Sequence, residues 1–243
     1  MSRPHRIASA LGLSLLASAA CDIFEGLENP RTLVNVAVTH HATPEAGAFP
    51  DRGADGETRT FETDEGWSVI LEKAYVTTSA VTLHRCDEGE VDFDFYWGPL
   101  AEDMRTQDLD MQTLAGEPVR SSEFCGMAVQ YGPDPGYVSD VAYGGATFYL
   151  EGTAAKAGVV FPFTVSSFET LDVSLDLSTM DGGDPLVVEG GEDAPVELTV
   201  SKTYDRFFDG IDFGSAGAGD LQAQVASVLV LETSVSRGRV APR

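Results

Sequence analysis

Short runs of alternating apolar and polar residues recur along most of this chain, separated by clusters of Gly, Pro and Asp. Residues 33–39 (LVNVAVT) alternate, and 67–71 and 75–85 (YVTTSAVTLHR) predict a pair of strands. In 92–97 (DFDFYW), Phe93 and Phe95 fall on one face and Asp92 and Asp94 on the other, the period of two that a half-buried strand requires. Residues 125–131, 146–151, 159–165, 171–177 and 196–202 continue the series, with turn signals at 132–136 (GPDPG), 144–145, 182–183 and 190–191. Two segments read as helix. Residues 100–114 carry Glu102 and Asp103 early and Met104, Met111 and Leu114 among the apolar positions; 221–235 follow Asp220, an expected N-cap, and precede Gly238. Helices do not alternate with strands, so the pattern predicts an all-β, antiparallel two-sheet sandwich with one or two short helices.

Composition narrows the reading. Hydrophobic residues make up 43% and charged residues 22% of the 243, enough apolar material for a packed core, so this is not a disordered acidic tail. Lys and Arg number 15 against 39 Asp and Glu, a formal net charge of −24. That field repels phosphate backbones, and no basic stripe interrupts it, which excludes nucleic acid as a partner.

The N-terminus breaks the alternating pattern. Arg3 and Arg6 precede an uncharged Leu/Ala-rich run, 7–20, too short to span a bilayer about 30 Å thick and ordered like an export signal. The run closes as Leu16-Ala17-Ser18-Ala19-Ala20-Cys21, which resembles the bacterial lipoprotein box, with Ser18 where that box usually has Leu. The resemblance implies cleavage before Cys21 and a lipid on its sulfur; the alternative is a cut after Ala19 that leaves Cys21 as a free thiol. The expected organisation is a signal peptide at 1–20, a polar tether at 21–32 and a sandwich domain at 33–243, fixed to a bacterial envelope at the outer membrane or periplasmic face. With Cys21 set aside, Cys86 and Cys125 are one pair in an oxidising compartment; the expectation is a disulfide, the alternative two reduced, buried thiols.

Candidate chemistry is sparse. No G-x-S-x-G elbow occurs, and the Gly-rich run 214–219 lacks the Lys-Ser/Thr of a phosphate loop, so no catalytic residue is assigned and the chain is read as a non-enzyme. Asp51, Asp55, Gly56 and Glu62 match positions one, five, six and twelve of a calcium loop, with Gly53 at position three. Oxygen-rich loops recur at 172–193 and 207–213, so Ca2+ is the first cofactor expectation. Copper at His40, His41 or His84, with Met104 or Met127 as a further ligand, is the second; His40 and His41 point to opposite faces of an extended strand.

Gly66-Trp67 leading through Tyr75-Val76 to Val81-Thr82-Leu83, and later Phe208-Asp209-Gly210-Ile211-Asp212, is similar to periplasmic β-sandwich proteins of the MbnP type. The resemblance implies a periplasmic sandwich associated with copper handling and transfers no ligand residue. The expected function is a lipid-anchored binding or structural lipoprotein that takes divalent cations on acidic loops, with a membrane and an envelope protein or small ligand as partners. The alternatives are a copper- or metal-handling periplasmic protein and, after it, a carboxylate-dependent hydrolase of envelope polymers.

Overall fold

The computed structural model describes residues 30–50, 57–134, 136 and 140–240. Thirteen strands follow in order: β1 (Arg31–His41), β2 (Arg59–Glu62), β3 (Ser68–Arg85), β4 (Glu90–Asp92), β5 (Leu100–Asp103), β6 (Gln112–Arg120), β7 (Ser122–Tyr131), β8 (Phe148–Lys156), β9 (Val159–Ser167), β10 (Leu171–Asp176), β11 (Leu186–Val188), β12 (Val196–Thr203) and β13 (Ser234–Arg237). One helix, α1 (Ala218–Glu232), precedes β13. The strands form two sheets. One has the order β13-β12-β1-β6; the other runs β10-β7-β3-β8-β9, with β2, β4 and β5 also on β3 and β11 on β7.

One large apolar core fills the space between them, and a small separate cluster gathers Tyr143, Ala146 and Tyr149. Val34, Val36 and Val38 of β1 and Leu198 and Val200 of β12 face Val69, Leu71, Val81, Leu83, Val129, Leu150 and Val165 of the larger sheet. These are the apolar positions of period-two strands, each with one dry face, as a sandwich requires. Helix α1 lies against β9, β10 and β12 and buries Leu221, Val225, Val228 and Leu229.

Four local expectations need correction. The segments 67–71 and 75–85 are one strand: a register shift between Leu71 and Lys73 against β8 marks a bulge that absorbs the break in alternation. Residues 100–114 are not helical, because β5 and β6 flank a turn in which Met104 is buried and donates its N–H to the Ala74 carbonyl (2.8 Å). Asp220 is not the N-cap of α1; Gly217 is, and Asp220 Oδ2 accepts the Gly217 N–H at 2.8 Å. Finally, β1 and β12 pair in parallel, within sheets otherwise antiparallel. Long connections allow this, since parallel partners need a crossover and not a tight turn.

The segment 92–97 keeps its alternation but changes sheets. Phe93 N–H bonds to Val81 of β3, Phe95 bridges to Ala115 and Tyr96 N–H bonds to Leu114 of β6. The chain thus turns a corner between the layers. Cys86, just past the end of β3, and Cys125, at the register shift in β7 between the His84–Gly126 and Arg85–Phe124 pairs, are joined as a disulfide, with Cα atoms 4.8 Å apart.

Candidate functional site

The alternation that builds β1 and β12 runs past its last valine. His40 follows Val34, Val36 and Val38 on the inner face, and Lys202 follows Leu198 and Val200. The two are register partners, so both enter the sandwich together. Glu102 of β5 meets them: Oε1 lies 2.8 Å from His40 Nδ1 and Oε2 2.5 Å from Lys202 Nζ. Glu102 and Lys202 are each 1% exposed. Burial by itself would raise the Glu102 carboxyl; the Lys202 ammonium and the His40 ring outweigh it and hold the group at about 2. Lys202 is shifted upward: burial opposes its charge and Glu102 prevails. Its ammonium also lies 5.7 Å from the Tyr131 ring centre, and Tyr131 hydroxyl bonds with Thr233 (2.8 Å).

A second ionic group adjoins the first. Arg59, fully buried at the start of β2, donates from Nε to the Met104 carbonyl (3.2 Å) and from Nη2 to the Thr106 carbonyl. The same Nη2 pairs with Asp108 at 3.0 Å, and the guanidinium lies 4.6 Å from the Tyr204 ring centre. Tyr204 hydroxyl donates to the other Asp108 oxygen (3.1 Å). Burial raises the Asp108 carboxyl despite Arg59, and burial together with Asp108 drives the Tyr204 phenol upward. Thr106 carbonyl links the groups, lying 3.1 Å from His40 Nε2.

This hub fixes the loops at one end of the sandwich. It captures the 104–108 turn by two carbonyls and a carboxylate, and the 3-10 turn Tyr204–Arg206 by a ring and a hydroxyl. Asp205 extends it, accepting from the N–H and hydroxyl of Thr43 at 2.9 and 3.0 Å. Its ionisable groups neutralise one another away from solvent, so what it offers chemically is rigidity and not an accessible acid, base or nucleophile.

The histidines do not converge. Both His40 nitrogens have protein partners, Glu102 at Nδ1 and the Thr106 carbonyl and Arg59 Nη2 (3.4 Å) at Nε2. His41, at the last position of β1, bonds through Nδ1 to the Ala42 carbonyl (2.7 Å) and packs at a tilt on Phe49 (ring centres 4.5 Å apart); burial lowers its affinity for a proton. His84 is eight residues along β3 from Val76, the partner of Glu102, roughly 26 Å of strand from the hub. It is half exposed and pairs with Glu90 at 3.2 Å. Asp51 and Asp55 lie outside the described residues, as does Cys21; Glu62 ends β2 with its side chain exposed. Among the described residues no group of three or more His, Cys, Asp or Glu is arranged to hold a metal ion.

Arg59, Glu102, Asp108, Lys202 and Tyr204 are absent from the sequence-derived candidates. Two signals could have found part of the set: His40 and Lys202 continue the inner faces of strands whose other inner residues are apolar.

No family model matches this chain, and no curated protein is similar to it. Among solved structures, MbnP from Methylosinus trichosporium is similar at 10% identity, over 86% of this chain and 99% of that chain, with a TM-score of 0.38. A likeness this loose carries no argument about site or ligand.

Proposed function

We propose that this chain is a non-catalytic, extracytoplasmic binding protein, fixed to an envelope membrane by lipid on Cys21 and presenting acidic loops to divalent cations. The Cys86–Cys125 bond is the observation that carries the reading: a paired disulfide belongs to an oxidising compartment, and the leader-like residues 1–20 supply the route there. Among the described residues no helix is long and apolar enough to cross a membrane. The hub supports binding over catalysis, since its charged groups are spent on holding the loops that follow β1, β5 and β12. With 39 acidic residues against 15 basic ones in the chain, its acidic stretches at 51–62, 172–193 and 207–213 offer oxygen ligands suited to a hard cation such as Ca2+.

The test of cation binding is a thermal midpoint measured in chelator, in calcium, and in sodium at matched ionic strength. Specific sites raise the midpoint with calcium well beyond the sodium control, by mass action on the folded state. Equal midpoints in calcium and chelator would remove the cation from the proposal.

A further inference from the structure

The start of β1 is where the tether meets the domain, and the fold grips it there. Thr32 hydroxyl donates to the Glu189 carbonyl (2.5 Å) and accepts the Glu192 N–H (2.9 Å). Gly190 packs so closely that a Cβ on it would lie 2.4 Å from the Pro30 carbonyl oxygen. Pro30 lies nine positions after Cys21, a reach of at most about 32 Å.

The outer face of the four-stranded sheet at this end has a character unlike the rest of an acidic chain. Arg31 and Arg120 are register partners, both exposed, and neither enters an ion pair among the described residues. Like charges directly opposite on adjacent strands repel, and an anion between them relieves the repulsion. Leu33, 39% exposed, and exposed Pro118 are the next outward pair. Beyond them Tyr96 lies over the sheet, its hydroxyl 3.3 Å from Asn35 Oδ1. Gly116, the partner of Asn35, makes that possible, because a Cβ there would sit 2.0 Å from the Tyr96 oxygen. Tyr96 is 48% and Trp97 89% exposed. Of the acids at this end, Glu197 accepts from Asn35 Nδ2 at 2.9 Å, exposed Glu189 accepts from Ser121 Oγ at 3.3 Å beside Arg120, and alternation sends Glu117 to the other side of β6, opposite Val34. Arginine, tyrosine and proline on one exposed face, with exposed Trp97 in the bend that follows Tyr96 and a short tether beside them, match the headgroup region of a bilayer, where amphipathic rings and long cationic stems settle.

We propose that this sheet face rests on the phospholipid surface, with Arg31 and Arg120 against lipid phosphates and Tyr96 and Trp97 at headgroup level. The proposal rests on the lipid-anchor reading and adds which face the anchor brings down. It leaves the loops at the far end of β1, which the buried hub holds, free of the membrane surface and open to ligands.

The experiment uses residues 21–243 with Cys86–Cys125 intact, coupled through Cys21 to a maleimide lipid in phosphatidylethanolamine–phosphatidylglycerol vesicles. Trp67 is buried, so Trp97 supplies the accessible tryptophan signal. On coupling, its emission shifts to the blue and acrylamide quenching falls about two-fold, as for an indole moved into the interface. Trp97→Phe abolishes the change, whereas Arg31→Glu with Arg120→Glu leaves coupling intact and restores quenching. Unchanged quenching on coupling overturns the proposal, and shielding that survives the double arginine substitution overturns the phosphate contact. Shielding that appears without vesicles and grows with protein concentration identifies a second copy as the occupant and likewise overturns it. Chemical coupling makes these outcomes independent of whether the cell acylates Cys21, which the mass of the native N-terminus reports separately.

Discussion

Glu102 is the residue on which the interior polar group turns, since it answers both His40 and Lys202. Glu102→Gln leaves the Lys202 ammonium buried without a counter-charge, and the expected loss is about 3–5 kcal/mol in denaturant unfolding. Replacing the pair together, Glu102→Leu with Lys202→Met, recovers most of that loss, because no charge is then stranded. The pH dependence has a defined sign. A carboxyl held at about 2 against an ordinary 4.5 stabilises the fold above pH 4.5, and that contribution, roughly 3 kcal/mol, is lost as pH falls toward 2. Asp108 acts in the opposite sense, since its raised carboxyl binds its proton more readily in the fold. Acid titration of unfolding free energy checks this: Glu102→Gln should flatten the limb below pH 4.5. Lowered affinity of His41 for a proton predicts a further decline as pH falls below 6.5, absent in His41→Asn. Little of this chemistry was legible in the sequence. His40 and Lys202 continue visible apolar faces, but Arg59, Glu102 and Asp108 come from three separate segments whose meeting depends on how the sheets stack.

Strands and turns were far more legible, because each rests on local alternation. Where the reading of elements went wrong, a tertiary contact outweighed a local pattern. The acids at 102–103 resemble the first turn of a helix, yet Glu102 is drawn inward to Lys202, and Asp103 binds the Arg105 guanidinium (2.6 Å) at the turn. The apparent gap between 71 and 75 is a bulge opposite Gly152, where a Cβ would lie 1.9 Å from the Ile70 carbonyl oxygen. Gly152→Ala should therefore cost about 1–3 kcal/mol, or prevent folding, through forced displacement of β8. At the helix, Asp220→Ala removes the carboxylate that accepts the Gly217 N–H near the positive end of the dipole, with an expected loss of about 0.5–1 kcal/mol. Melting curves of the two variants separate a global packing defect from a small capping one.

For the molecule as a whole, the two-sheet sandwich and the pairing of Cys86 with Cys125 follow from readable features: many short amphipathic strands, and two cysteines left once Cys21 is assigned to the anchor. The disulfide closes a span of 39 residues, so Cys86→Ser with Cys125→Ser should lower stability by about 2–5 kcal/mol. The parallel β1–β12 pair was not legible, because no local pattern records which distant strand becomes a neighbour. The proposed location at the envelope rests on the leader-like residues 1–20, the bridge and the arginine-bearing face at the start of β1. The most direct test is intact mass spectrometry of the native protein recovered from the membrane fraction under non-reducing conditions. The account predicts a chain beginning at Cys21 with a diacylglyceryl group on its sulfur and Cys86 joined to Cys125. An unmodified N-terminus on a soluble chain with reduced cysteines would contradict it.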